Sequence, residues 1–121
     1  MDDDSRFVLD LSDILYERIK ETVSEITTSP SVTDIILILK TINIAATLIE
    51  TMKYENVLIR GHLKKKIVLK TCRNVLRDYV RPSKIESILE IYDSSSDEII
   101  DEVINFAKNN KRIISFFKSC C

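Results

Sequence analysis

The side chains best suited to chemistry in this chain are few and scattered. The sequence has a single histidine, His62, and three cysteines, of which Cys72 lies among apolar residues. A structural zinc site needs about four ligands, and His62 follows Gly61 where a helix is predicted to start, so it is expected to be a cap or a surface residue. Cys72 falls on an apolar helix face and is predicted to be a core thiol. The sequence therefore predicts a non-enzymatic protein without a metal or another cofactor.

Two acidic clusters near the end of the chain have structural explanations. Glu98 and Glu102 lie one helical turn apart and could bind a metal, but no histidine accompanies them. Acidic residues in the first turn of a helix are already favoured by the helix dipole. The serines and the aspartate of "SSDE" (95–98) have the pattern of a capping box. Neither cluster is predicted to be a site.

The chain ends in a basic tail with two cysteines, "KNNKRIISFFKSCC" (108–121). Cys120 and Cys121 resemble the double-cysteine prenylation end of Rab-type small GTPases, although the likeness covers two residues and no GTPase motif is present. Palmitoylation is equally compatible, and lipid chains beside basic residues would supply the two signals that stable anchoring takes. A peripheral membrane protein anchored at these cysteines is one alternative; a free tail or a disulfide between chains is the other.

The most one-sided stretch is "LKKKIVLKTCRNVLRDYVR" (63–81), in which seven residues are basic and one is acidic. At about 100° per residue, five cations fall within roughly an 80° sector of a helix. We call this set the basic stripe. It consists of Lys66, Lys70, Arg73, Arg77 and Arg81.

An acidic stripe lies on an earlier predicted helix, opposite its apolar face. It consists of Asp13, Glu17, Glu21 and Glu25. If both apolar faces enter one core, both stripes face outward and are better placed to pair between molecules than within one. Because the two stripes are different patches, the contact would be heterologous and could build rings or arrays. This predicts a partner protein or self-assembly.

Nucleic acid is the competing partner for the basic stripe, because cationic helices can lie along phosphates. Base-reading side chains are scarce there apart from Asn74, and no aromatic residue is interleaved for stacking. The acidic remainder of the surface would repel a phosphate backbone. Nucleic acid is therefore the less favoured alternative, and a solvated helix face is the ordinary explanation of such a stripe.

Composition and length indicate one soluble domain. The chain has 121 residues, 45% hydrophobic and 31% charged, which is typical of a globular protein. The most apolar stretch (35–49) is interrupted by Lys40 and is shorter than the 20 or so residues of a membrane span. The acidic start "MDDDSR" is unlike a signal peptide. We expect an intracellular protein with no transmembrane segment.

Hydrophobic periodicity predicts helices at about 10–27, 32–53, 63–80, 83–92 and from 95 onwards. Pro82 should end the third helix, Gly61 should be a stop or turn, and "DSSSD" (93–97) should separate the last two helices. Residues 32–53 are apolar almost all round, which is typical of a helix wrapped by others. The prediction is an all-α, single-domain bundle of four to five helices around this buried helix. Residues 1–9 should be irregular and 108–121 a basic tail.

Three segments of the second half carry a wider likeness. They are "RGHLKKKIVLKTCRNVL", "DEIIDEVINFAK" and the basic tail that ends in cysteines. Together they resemble small all-helical proteins of large nucleocytoplasmic DNA viruses. The resemblance implies a virus-encoded protein, plausible as a minor structural component of the virion, and it carries over no catalytic residue.

Overall fold

The computed structural model describes residues 3–29, 32–54, 57–58 and 61–109. Within these ranges the chain forms four α-helices and one short hairpin. The helices are α1 (Asp3–Thr27), α2 (Asp34–Ile49), α3 (Gly61–Tyr79) and α4 (Pro82–Asn109). Strands β1 (Lys53–Tyr54) and β2 (Val57–Leu58) pair antiparallel between α2 and α3. The predicted all-α helical bundle is confirmed.

Helix α1 begins seven residues earlier than the sequence predicted. The expected irregular segment 1–9 is wrong from Asp3 onwards. The apolar repeat that buries Leu11 and Leu15 extends one turn upstream to Phe7 and Val8, which pack against the core. Because these side chains keep helical spacing, the helix can continue through the acidic start of the chain.

Helix α2 is shorter and less buried than predicted. Its N-cap is Thr33, whose hydroxyl accepts a hydrogen bond from the Ile36 backbone N–H at 3.3 Å. Helix α2 contacts all three other helices. Complete burial is nevertheless wrong, since Ile35 is 62% exposed and Ile36 and Leu39 are each 42% exposed. Among the residues that the structure describes, no helix covers the outer side of its first two turns.

Helix α3 also packs against all three other helices, and most extensively against α1. Gly61 is its first residue and not the end of an element. The helix closes with a 2.9 Å hydrogen bond from the Val80 N–H to the Leu76 carbonyl. Pro82 then occupies the first position of α4, where its missing N–H costs nothing. The predicted role of Pro82 as a stop for the preceding helix is confirmed.

Helix α4 is one continuous helix, so the predicted break at 93–97 is wrong. Its inner face runs without interruption through the serine cluster, where Ser96 fills a buried position. The buried residues of this face are Ile88, Tyr92, Ser96, Ile100 and Val103. The Ser94 hydroxyl donates to the Ile91 carbonyl at 3.1 Å, which satisfies it within the helix. The serines therefore do not compete with the helix as they would in a turn.

None of the helices in the described part of the chain is long and apolar enough to cross a membrane. The core instead lies between the helices, and two of its buried threonine hydroxyls are satisfied within their own helices, whereas the buried Ser12 hydroxyl has no hydrogen-bond partner among the described residues. Thr41 and Thr71 each donate at 2.7 Å to the carbonyl four residues back, at Leu37 and Ile67. Such bonds let a polar side chain be buried without a partner on another helix.

Candidate functional site: two charged helix faces

The acidic stripe lies on the solvent side of α1. Asp13, Glu17, Glu21 and Glu25 are all exposed, while Leu11, Leu15, Ile19 and Val23 bury the opposite face. Glu17 pairs with Lys20 of the same helix at 2.6 Å. Within the described residues the other three carboxylates have no ion pair. Most of this negative charge therefore remains open to an external partner.

The basic stripe divides into cations that are held within the molecule and cations that are not. Arg73 makes a two-point contact with Asp93 of α4, with Nε 2.9 Å from Oδ1 and Nη2 3.0 Å from Oδ2. Hydrogen bonding to Asp93 raises the pKa of the Arg73 guanidinium, and the same bond lowers the pKa of Asp93. By contrast, Lys66 and Lys70 are exposed and have no ion-pair partner among the described residues.

Arg77 belongs to a small polar junction between α1 and α3. Its Nε lies 3.3 Å from Asp78 Oδ1, and Tyr16 of α1 donates from its hydroxyl to Asp78 Oδ2 at 2.6 Å. The hydrogen bond from Tyr16, followed by that from Arg77, lowers the pKa of Asp78. Desolvation and the bond to Asp78 raise the pKa of Tyr16. This junction ties the two helices together beside the stripes.

Arg81 lies beyond the end of α3, at the rim of a cleft of about 210 Å³ between the helix ends. Leu37, Val80 and Ile88 are buried and form part of its apolar floor. On the rim, Lys84 Nζ approaches Asp34 Oδ1 at 3.9 Å. The last predicted cation of the stripe thus borders a concave surface.

The two predicted stripes do not pair with each other inside the molecule. In the described part of the chain no ion pair joins a residue of the acidic stripe to one of the basic stripe. Helices α1 and α3 nevertheless pack together through their apolar sides. Both stripes are therefore available on one molecule as separate outward faces.

A second acidic row, on α4, was not foreseen from the sequence. Asp93, Asp97 and Asp101 repeat every four residues, and all three contact cations of α3. Lys65 Nζ lies 3.3 Å from Asp97 Oδ1 and 3.1 Å from Asp101 Oδ1, and Arg73 holds Asp93. The spacing could have revealed the row, but the predicted break at 93–97 divided it between two helices.

The residues first considered for chemistry have ordinary environments. Cys72 is fully buried, with its Sγ 3.6 Å from the Thr41 carbonyl oxygen, and burial raises the pKa of its thiol. His62 is exposed at the start of α3. No group of three or more metal-binding side chains occurs in the part of the chain that the structure describes. Cys120 and Cys121 lie outside the described residues, as does nearly all of the basic tail.

Comparisons with protein-family models, with curated protein sequences and with solved structures give no match to this chain.

Proposed function

We propose that this chain is a non-enzymatic structural protein that assembles through the acidic stripe of α1 and the basic stripe of α3. The observation that carries the proposal is the state of the α1 carboxylates. Asp13, Glu21 and Glu25 are exposed and have no ion pair within the described residues, although α3 supplies exposed cations on a neighbouring face. Each molecule thus carries both halves of a complementary contact.

The stripes would act mainly by orienting two molecules and by raising the rate at which they associate. An exposed ion pair contributes about 0.2–1 kcal/mol, so a few pairs cannot hold two proteins together by themselves. Complementary charge does steer encounter and fix the relative register of two surfaces. The proposed assembly should therefore weaken as salt is added and should also need apolar contacts.

The internal contacts of the basic stripe favour a protein partner over nucleic acid. Asp93 and Asp78 stand beside Arg73 and Arg77, and these carboxylates would repel a phosphate backbone. A protein partner can leave such internal pairs in place and use Lys66, Lys70 and Arg81. We therefore favour a protein partner, and the DNA titration described below tests nucleic-acid binding.

A virion component is the most concrete form of this proposal. The likeness of the second half to helical proteins of large nucleocytoplasmic DNA viruses supports it, because virion proteins commonly form repeated contacts. The chain would then act in the host cytoplasm or within the particle.

Sedimentation velocity over a range of protein and salt concentrations tests the proposal. We expect the wild type to self-associate at low salt, and Lys66→Glu/Lys70→Glu to associate severalfold more weakly, since each exposed pair contributes about 0.2–1 kcal/mol. Lys40→Glu is the control, since it reverses an exposed charge on α2, which carries neither stripe, and it should associate like the wild type. A monomer at every protein and salt concentration would contradict the proposal, as would equal losses of affinity in Lys66→Glu/Lys70→Glu and in Lys40→Glu.

Adding duplex or single-stranded DNA to the same samples tests the alternative partner. Under the proposal the sedimentation of the wild type does not change with either nucleic acid. Salt-dependent binding that Lys66→Glu/Lys70→Glu abolishes would instead assign the stripe to phosphates.

A further inference from the structure

The cleft at the helix ends combines an apolar floor with a cationic rim. Its floor includes Leu37, Val80 and Ile88, and Arg81 and Lys84 stand exposed at its edge. A cavity of about 150 Å³ is large enough to hold a benzene molecule. The cleft, at about 210 Å³, can accordingly take one branched apolar side chain.

Other carboxylates near the cleft point away from it. At 100° per residue, Glu25 leaves α1 about 150° away from the lining residues Ile26 and Thr27, and Glu86 leaves α4 on the side opposite Lys84 and Ile88. Asp34 does line the cleft, and its charge is opposed by Lys84 at 3.9 Å. The rim therefore favours an apolar group surrounded by negative charge.

The acidic stripe contains such a group. Ile14 is 41% exposed, and it leaves α1 in a direction between those of Glu21 and Glu25. Asp13 precedes it, and Glu17 lies one turn further along the same face. Arg18, one turn beyond Ile14, is the cation nearest to it in the helix and could face Asp34 of the cleft.

We infer that Ile14 of one molecule inserts into the cleft of a second copy, with Asp13 beside Arg81, and so sets α1 antiparallel to α3 of that copy. This inference rests on the proposed assembly and names its occupant and its register. It supplies the apolar contact that the charged stripes lack.

The spacing of the two stripes agrees with this register. With Asp13 opposite Arg81, an antiparallel alignment places Glu17 opposite Arg77, Glu21 opposite Arg73 and Glu25 opposite Leu69, next to Lys70. From Asp13 to Glu25 the acidic stripe extends about 18 Å, and α3 extends about 14 Å from Lys70 to its end at Tyr79, at 1.5 Å per residue, with Arg81 two residues further along the chain. A parallel alignment from the same anchor would carry the acidic stripe past the end of α3.

The contact is heterologous, because the exposed Ile14, which we call the knob, and the cleft are different surfaces of the same chain. Each molecule keeps one free knob or one free cleft after a single contact, so assembly can propagate. This property allows a test that a symmetric contact would fail.

Two variants at exposed residues each remove one side of the proposed contact. The knob variant is Ile14→Ser, with the cleft intact; the rim variant is Arg81→Glu/Lys84→Glu, with α1 intact. We expect each alone to self-associate about tenfold or more weakly than the wild type. An equimolar mixture should form a 1:1 complex that stops at two chains, because only one complete contact is available.

Leu9→Ser is the matched control for the knob, since Leu9 is 38% exposed on α1 and points about 140° away from Ile14. Lys40→Glu, on α2, is the control for the rim. Circular dichroism and thermal unfolding check that every variant is folded. Both controls should associate like the wild type.

The outcomes separate this inference from the proposed function. A 1:1 complex in the mixture, absent from either variant alone, supports both. A wild type that self-associates while Ile14→Ser retains full affinity, or a mixture that stays monomeric, overturns the inference and leaves charge-driven assembly standing. A wild type that never self-associates overturns both.

Discussion

Two acidic rows with the same four-residue spacing behave differently in this molecule. The row on α4, Asp93, Asp97 and Asp101, contacts Arg73 and Lys65 of α3. The acidic stripe of α1 faces solvent, and of its four carboxylates only Glu17 has an ion pair within the described residues. The four-residue repeat therefore identifies a row of carboxylates, but it does not show whether that row pairs with cations of the same molecule or faces solvent.

The angle between each row and the buried face of its helix explains the difference. Each aspartate of the α4 row directly follows a buried residue, namely Tyr92, Ser96 or Ile100, so the row lies about 100° from the buried face. Such a row borders the neighbouring helix and can reach its cations. The α1 stripe lies about 160° from the centre of its buried face by the same arithmetic, which places it beyond the reach of α3.

The largest effect is expected when α4 is interrupted between its aspartates. Ser96→Pro should destabilise the fold by about 3 kcal/mol or more, because proline removes a helical hydrogen bond and clashes with the preceding turn. It should also separate Asp97 and Asp101 from Asp93. Thermal or urea unfolding measures the loss, and Ser96→Ala, which keeps the helix, should change stability by less than about 1 kcal/mol. Equal stabilities for the two variants would contradict the continuous helix.

Removing one carboxylate from each row should have two different effects, a loss of folding stability for the α4 row and a loss of self-association for the α1 stripe. Asp93→Ala should lower the free energy of unfolding by up to about 1 kcal/mol, the upper end for a half-exposed ion pair with good two-point geometry. Glu21→Ala, which removes an unpaired carboxylate, should leave stability unchanged and weaken self-association instead. Urea unfolding and sedimentation of both variants check this, and a larger stability loss at Glu21 would reverse the assignment of the rows.

The Asp93 contribution should depend on pH in a defined direction. Because Arg73 lowers the pKa of Asp93 in the folded state, the contribution is complete above the unfolded pKa of about 3.9 and is lost as pH falls through the lower folded pKa. The stability difference between wild type and Asp93→Asn should thus be constant from pH 5 to 7, by this reasoning, and shrink in stronger acid. Unfolding at several pH values measures it, with Glu86→Gln as the control, and a difference that grows in acid would be the wrong sign.

The smallest expected effect tests the register between molecules. Glu25→Lys should weaken self-association about twofold, as expected for one exposed pair. Adding Lys70→Glu should restore it, whereas adding Arg81→Glu should not, since in the antiparallel register Lys70 lies beside the position opposite Glu25 and Arg81 lies at the other end of the contact. Sedimentation equilibrium gives the three affinities, and rescue by Arg81→Glu would favour a parallel arrangement.

Sequence reasoning was most successful where apolar periodicity acts alone. The buried residues of α1 and the end of α3 before Pro82 follow directly from spacing and proline geometry. It failed at the serine cluster of α4, because turn-forming residues are tolerated in a helix when tertiary packing buries one of them, as with Ser96. It also overestimated the burial of α2, since an all-round apolar sequence does not specify how many helices cover it.

The position of the candidate cleft could not be predicted from sequence. Its lining comes from α1, α2 and α4 and from the segments that join α1 to α2 and α3 to α4, and residues as distant as Ile26 and Ile88 meet only because of the topology. The stripes were visible as patterns, but the internal partners of Arg73 and Arg77 depend on neighbouring helices. Local pattern therefore identifies charged faces, while the fold decides which charges remain available.

The buried thiol of Cys72 allows the opening of the core to be measured as a rate of chemical modification. A thiol reagent cannot reach this sulfur until the helices around it separate, because its side chain is completely enclosed. In a chain whose Cys120 and Cys121 are replaced, the rate of Cys72 modification therefore reports how often the native bundle opens. Assembly that bridges α1 and α3 of two molecules would slow this opening. The rate of Cys72 modification should therefore fall when the chains associate.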